Sequence, residues 1–290
     1  MGRSVAKAWI IGTVLAMLTA CSAPRLAYNN GPFLTWWWLD GYVDFSREQT
    51  PLAKAAIDRY FDWHRRTQLM PFAPLLASAR QMVMEPITAA AACRINTQVR
   101  EKLEPAIERA AVDAAELIPG LGEAQFKHME QRYAKANTEM RRDYMQPDLA
   151  ERQRKAFERT LERAEQLYGR LDDAQKQVIA AGVAASPFDP QAWLVERQRR
   201  QRDVLQALRK LKIDGADSAA RIAALRQLGE RMEQSPDPAY RAYQQKLEDY
   251  NCTFAAQVHN ATTPAQRQAA RERILGWEED LRSLSSLPAT

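Results

Sequence analysis

Four times along this chain a Thr or Asp stands directly before a proline: Thr50-Pro51, Asp189-Pro190, Asp237-Pro238 and Thr263-Pro264. Thr or Asp at a helix N-cap accepts a hydrogen bond from the first free backbone amides. Proline is tolerated at the next position because its missing N–H has no intrahelical partner there. Each pair therefore predicts a helix start. Asp172 with Gln175, and Thr263 with Gln266, also have the spacing of a capping box. Breaks are expected at Pro71 and Pro74, Pro119-Gly120, Gln146-Pro147, Gly169, Ser186-Pro187, Asp214-Gly215 and Ser235-Pro236. An alanine-rich helix is expected from near Pro86 to Pro119, with a kink at Pro105. Glycine contributes only 11 of 290 residues, and no long alternating Val/Ile/Thr run follows residue 21, so the material for a sheet is lacking. The pattern predicts an all-α fold, an elongated multi-helix bundle of about ten helices with short connections. No fixed repeat period separates the caps.

The N-terminus carries a different signal. Arg3 and Lys7 precede an apolar stretch from Ala8 to Met17. A bilayer core needs roughly 20 apolar residues, so this stretch is too short to span it and reads as the apolar part of an export signal. It closes on Leu18-Thr19-Ala20-Cys21, which resembles the lipobox of bacterial lipoproteins. That likeness implies cleavage before Cys21 and diacylglyceryl attachment to its thiol. The chain then divides into a signal peptide (1–20), an anchor, short tether and aromatic segment (21–49), and a helical domain (50–290). Ser22, rather than Asp, follows the cysteine and points to the outer membrane, with the domain facing the periplasm.

The signal also changes the charge. The full chain is +5. Losing Arg3 and Lys7 leaves +3 over the remaining 270 residues, which is no nucleic-acid footprint. Export bears on the cysteines as well. Besides Cys21 only Cys93 and Cys252 remain, and paired thiols in the periplasm oxidise where geometry permits. A Cys93–Cys252 bridge is expected, contributing about 4–5 kcal/mol in the chain-entropy model. The alternative is two separately buried thiols behaving as small apolar side chains.

Two segments are candidate binding surfaces. Trp36, Trp37 and Trp38 are consecutive, and on a helix they sweep about 200°. One narrow face cannot bury all three rings. They belong either to the core or to a membrane interface or partner surface, for which tryptophan is suited. In residues 189–212, Trp193, Leu194, Val204, Leu205, Leu208 and Leu211 form an apolar stripe at helical spacing. Arg197 falls at its centre. A buried arginine needs a partner, so Arg197 is expected either in an ion pair with a neighbouring helix or in a groove that recognises a carboxylate or phosphate.

Catalytic patterns are missing. The three histidines, His64, His128 and His259, fall in separate predicted helices, without metal-ligand spacing. There is no glycine-rich phosphate loop and no nucleophile elbow. Most carboxylates alternate with arginine, as in ERQRKAFERTLERAEQ, the pattern of a solvated helix surface. No cofactor is expected. The leading expectation is a non-catalytic, membrane-anchored periplasmic module that binds an envelope protein and resembles a chaperone. Such a module should carry an exposed apolar groove lined by basic residues. The alternatives are a cell-wall or lipid-surface hydrolase, and a lipid or ligand carrier with an interhelical cavity.

The segments LAYNNGPFLTWWWLDGYVDF, LYGRLDDAQ, ASPFDPQAWLVERQRRQ, SPDPAYRAYQQKL and VHNATTPAQRQAARERI resemble an uncharacterised family of proteobacterial lipoproteins, domain of unknown function 6279. The resemblance covers most of the mature chain. It implies an exported, lipidated helical protein and no catalytic residues. Leu171 to Gln175, Leu121 to Gln125 and Thr262 to Gln266 are also similar to the LTxxQ motif of periplasmic helical chaperones of the Spy and CpxP type. None matches fully, and the capping box alone accounts for the first and third.

Overall fold

The computed structural model describes residues 23–286. Cys21 and the expected signal peptide lie outside the described residues. Twelve α-helices are present among the described residues, with no strand: α1 (Ala23–Asn29), α2 (Gly31–Val43), α3 (Gln49–Thr67), α4 (Ala73–Met82), α5 (Ala89–Ala115), α6 (Glu123–Tyr144), α7 (Leu149–Tyr168), α8 (Asp173–Ala185), α9 (Pro190–Ile213), α10 (Ser218–Glu233), α11 (Pro238–Asn260) and α12 (Pro264–Ser286). Short 3-10 turns at Met70–Phe72 and Ile118–Gly120 mark two of the proline breaks. The protein is an all-α bundle. It has two helices more than the approximate ten expected, and the aromatic segment alone supplies two.

Most starts follow from the caps. The Asp189 carboxylate accepts from the amides of Gln191 and Ala192 at 2.8 and 3.2 Å, and Asp237 accepts from Ala239 at 2.9 Å. Asp172 accepts from Gln175 at 2.8 Å. Thr50 does not cap α3. Its amide already donates to the Ser46 carbonyl at 3.0 Å. One turn earlier, Gln49 donates its amide to Ser46 Oγ, and its Oε1 accepts from the Ser46 amide at 2.8 Å. That reciprocal pair supplies the cap expected of Thr50-Pro51. The alanine-rich helix α5 begins later than Pro86, where Thr88 Oγ1 accepts from the Ala91 amide at 3.2 Å, and it runs through Pro105.

Two apolar clusters hold the bundle. In one, Val83, Tyr168, Leu171, Ile179, Ala270 and Ile274 join the end of α4 to α7, α8 and α12. In the other, Leu121, Phe126 and Met129 of the α6 region meet Leu205 of α9, with Val43 of α2 against them. Full burial of an Ile or Leu side chain contributes roughly 1.5–3 kcal/mol, and Ile179 and Leu171 are both fully enclosed. The disulfide joins Cys93 of α5 to Cys252 of α11, Cα to Cα 5.3 Å, where those two helices pack. The aromatic segment is part of the same body. α2 packs on α3 and α6, and α1 on α12.

Candidate functional site

α7, α8 and α11 leave a cleft of about 460 Å³ between them. The floor is apolar. Ala156 of α7, Val183 of α8 and Leu247 and Phe254 of α11 line it. Gly182 makes this packing possible, because a Cβ there would strike the Phe254 ring. Tyr250 of α11 donates to the Gly182 carbonyl at 2.5 Å and ties the two helices beside the cleft.

One wall is basic. Arg152, Arg159 and Arg163 line the cleft, and no Asp or Glu does. At 100° per residue these arginines lie within about 40° of one another and form a ridge along α7. None makes an ion pair among the described residues. Arg152 donates to the Gln146 carbonyl at 2.7 Å, and the Arg159 guanidinium lies 4.5 Å from the centre of the Tyr144 ring. Arg163 is exposed. Asp143 lies outside the lining. The hydrogen bond from Arg142 holds its carboxyl below the ordinary range, with lesser help from Lys155 and Arg159. Gln146, buried at the cleft margin, leaves its Oε1 without a partner among the described residues.

The alternation of signs in ERQRKAFERTLERAEQ concealed this wall. Arg154–Glu158 and Lys155–Glu151 do pair as i, i+4 neighbours. The acidic side chains of α7, however, fall on a different side of the helix from Arg152, Arg159 and Arg163. Angular position, rather than charge count, was the usable signal.

Arg197 lies elsewhere. Its Nε donates to Asn137 Oδ1 of α6 at 3.1 Å, and Asn137 exchanges amide hydrogen bonds with Gln201 at 2.8 and 3.1 Å. The partner is therefore a neutral amide, where an ion pair or an anion groove was expected. The buried charge is the adjacent Glu196, only 3% exposed. It accepts from Arg199, Arg200 and Ser235 at 2.7, 2.8 and 3.0 Å. Burial would raise its carboxyl, but these hydrogen bonds outweigh burial and hold it below the ordinary range. α9 packs on both α6 and α10, so it buries a second face that a single apolar stripe does not reveal.

The tryptophans divide. Trp36 turns inward, its ring 5.7 Å from Phe45, with the Lys54 ammonium 4.9 Å above it. Trp37 and Trp38 face outward. Each histidine is engaged separately. His64 Nδ1 meets the Tyr28 hydroxyl at 2.8 Å, His128 Nε2 the Gly41 carbonyl at 3.2 Å, and His259 Nδ1 the Tyr168 hydroxyl at 2.9 Å. Among the described residues no group of three His, Cys, Asp or Glu side chains is placed to hold a metal ion, and no helix is long and apolar enough to cross a membrane.

A family model matches residues 41–241, most of the helical bundle and all of α7, α8 and α9. The chain belongs to the family of unknown function DUF6279. The DUF6279 match includes the arginine ridge, Arg197, Cys93 and the α7 and α8 sides of the cleft, while Cys252 and the α11 lining residues Leu247, Asn251 and Phe254 lie beyond it. No curated protein and no solved structure matches the chain.

Proposed function

We propose that this protein is a periplasmic lipoprotein, anchored to the outer membrane through Cys21. Its bundle is a non-catalytic module that binds an apolar, acidic segment of another envelope protein. One observation carries the binding reading: the apolar cleft walled by Arg152, Arg159 and Arg163, with no carboxylate in its lining. Apolar contact supplies the driving force for such binding, and an unpaired row of one charge sign supplies selectivity. A chaperone-like module needs this combination, because an unfolding client exposes apolar side chains in a charged chain.

The test is suppression of aggregation of an unfolding acidic client by the lipidated chain. Full-length protein is expected to hold the client in solution, and Arg159→Glu with Arg163→Glu is expected to lose that effect. No protection, or equal protection by the variant, contradicts the reading. The anchor is tested separately by the intact mass of the purified chain, which should carry acyl groups at Cys21 and begin there.

The cleft volume also favours a second reading. About 460 Å³ lies within the roughly 300–1,000 Å³ of small-molecule sites, and an anionic amphiphile would suit both floor and wall. Lipid extraction from the purified chain separates the two readings. A stoichiometric acyl compound would make the protein a carrier.

A further inference from the structure

The outer face of α1 and α2 has a composition unlike the rest of the surface. Leu26, Phe33, Leu34, Trp37 and Trp38 are 60%, 66%, 48%, 70% and 56% exposed. The two helices are nearly continuous. Asn30 donates its amide to the Leu26 carbonyl at 3.2 Å, and Leu34 to the Asn30 carbonyl at 2.9 Å, so the i to i−4 pattern crosses the junction. At 100° per residue the five side chains occupy one sector of about 140°. The chain is 27% charged, yet no exposed residue from 23 to 43 carries a charge. The two charged residues of this stretch are turned aside. Arg25 pairs with Asp280 at 3.0 Å, and Asp40 accepts from the Phe45 amide at 3.1 Å.

This face has the chemistry of a membrane interface. Tryptophan offers an apolar body with one polar edge, which suits the boundary between headgroups and acyl chains. Its position in the chain selects the same occupant. α1 begins at Ala23, two residues after Cys21. A helix rises 1.5 Å per residue, so Trp38 lies about 22 Å along the two helices from Ala23. The opposite face is already taken. Tyr28 packs on Phe61 at 5.9 Å, Trp36 on Phe45, and Tyr42 on Tyr133 at 5.9 Å.

We propose that Leu26, Phe33, Leu34, Trp37 and Trp38 form a second, non-covalent membrane contact that seats α1 and α2 in the bilayer interface. This inference rests on the lipoprotein reading for its choice of occupant. An acyl anchor holds one point of a chain, and a helical face beside it sets the orientation of the bundle over the bilayer. Interfacial binding of this kind scales with the apolar area inserted and supplements a lipid anchor.

The experiment uses the full chain purified from membranes and reconstituted into phosphatidylethanolamine–phosphatidylglycerol vesicles whose acyl chains carry bromine, a short-range quencher of tryptophan emission. Wild-type emission is expected to be quenched. The Trp37→Phe, Trp38→Phe double variant should lose most of that quenching, whereas Trp193→Phe, whose ring is packed between Tyr144 and Phe188, should keep it. Unquenched wild-type emission, or quenching that survives the double variant, overturns the proposal. A face covered by a second copy of the chain would give that same negative result. The intact mass of the sample reports on Cys21 independently, so the loss of the anchor reading and the loss of the interface reading are told apart.

Discussion

Gln175 and Gln266 exchange side-chain amide hydrogen bonds across the bundle. Gln175 Nε2 donates to Gln266 Oε1 at 2.6 Å, and Gln266 Nε2 donates to Gln175 Oε1 at 2.9 Å. Each oxygen also accepts from its own helix cap, Asp172 N at 3.0 Å and Thr263 N at 2.8 Å. The remaining amide hydrogens reach the carbonyls of Ala261 and Arg170, both at 2.9 Å. Two capping boxes are thereby joined into one network that sets α8 against α12. Gln49 and Gln125 repeat the arrangement at the starts of α3 and α6, donating to one another at 3.2 and 2.8 Å.

Gln175→Ala should therefore cost more than the loss of a cap. It removes the buried Gln175 amide and leaves Gln266 and the Ala261 carbonyl short of a partner in a half-buried site, where an unsatisfied group costs up to roughly 1–3 kcal/mol. Urea denaturation should show a loss of about 2–3 kcal/mol, while Gln166→Ala, on an exposed turn of α7, should stay near wild type. Equal stability of the two variants would remove the network from the account.

Reduction of Cys93–Cys252 should lower stability by about 4–5 kcal/mol, since the bridge closes a loop of 159 residues. The Cys93→Ala, Cys252→Ala variant should match the reduced protein in thermal unfolding, and its stability should not respond to reductant. Two reactive thiols in the denatured, unreduced chain would contradict the bridge.

Stability should fall as pH drops through the histidine range. His259 Nε2 lies 2.8 Å from the Glu85 carbonyl, which can only accept, so that nitrogen carries the proton and Nδ1 accepts from Tyr168. Burial keeps the Tyr168 hydroxyl protonated, with its pKa pushed up to about 12. Burial holds the His259 imidazole below its ordinary 6.5, with the hydrogen bond to Glu85 opposing and Arg267 assisting. Burial lowers His64 as well. The unfolded chain thus takes up protons first, and stability is lost as pH falls below about 6.5 until the folded imidazoles also protonate. Denaturation midpoints measured from pH 7.5 to 5 should show this slope, and His259→Gln should flatten it in part, with His64 carrying the remainder.

Gly182→Ala should destabilise the bundle by about 1–3 kcal/mol, because the added methyl meets the Phe254 ring. Phe254→Leu in the same chain should recover part of the loss. Thermal unfolding of the wild type and the two variants checks it. A neutral Gly182→Ala would mean that the cleft floor is not packed as described.

What the sequence revealed was local. Asp189, Asp237 and Asp172 cap where they stand because capping is decided within four residues. Thr50 misled because Ser46 and Gln49 offer both halves of a capping box one turn earlier. Cys93 and Cys252 were legible as the two cysteines left besides Cys21. The hydrogen bond from Arg197 to the neutral Asn137 was not legible, nor was the buried charge at Glu196, since α9 buries two faces and one stripe shows only the first. The cleft was hidden for a stronger reason. Arg159 and Val183 come from consecutive helices and Phe254 from one far along the chain, and only their packing brings them together.

The binding reading is tested most directly by a photo-crosslinking side chain at Ala156, on the cleft floor, in living cells. A discrete envelope-protein adduct is predicted, and it should disappear when Arg159 and Arg163 are both replaced by Glu while the protein level is unchanged. No adduct, or one indifferent to those two charges, would contradict the cleft as a binding site.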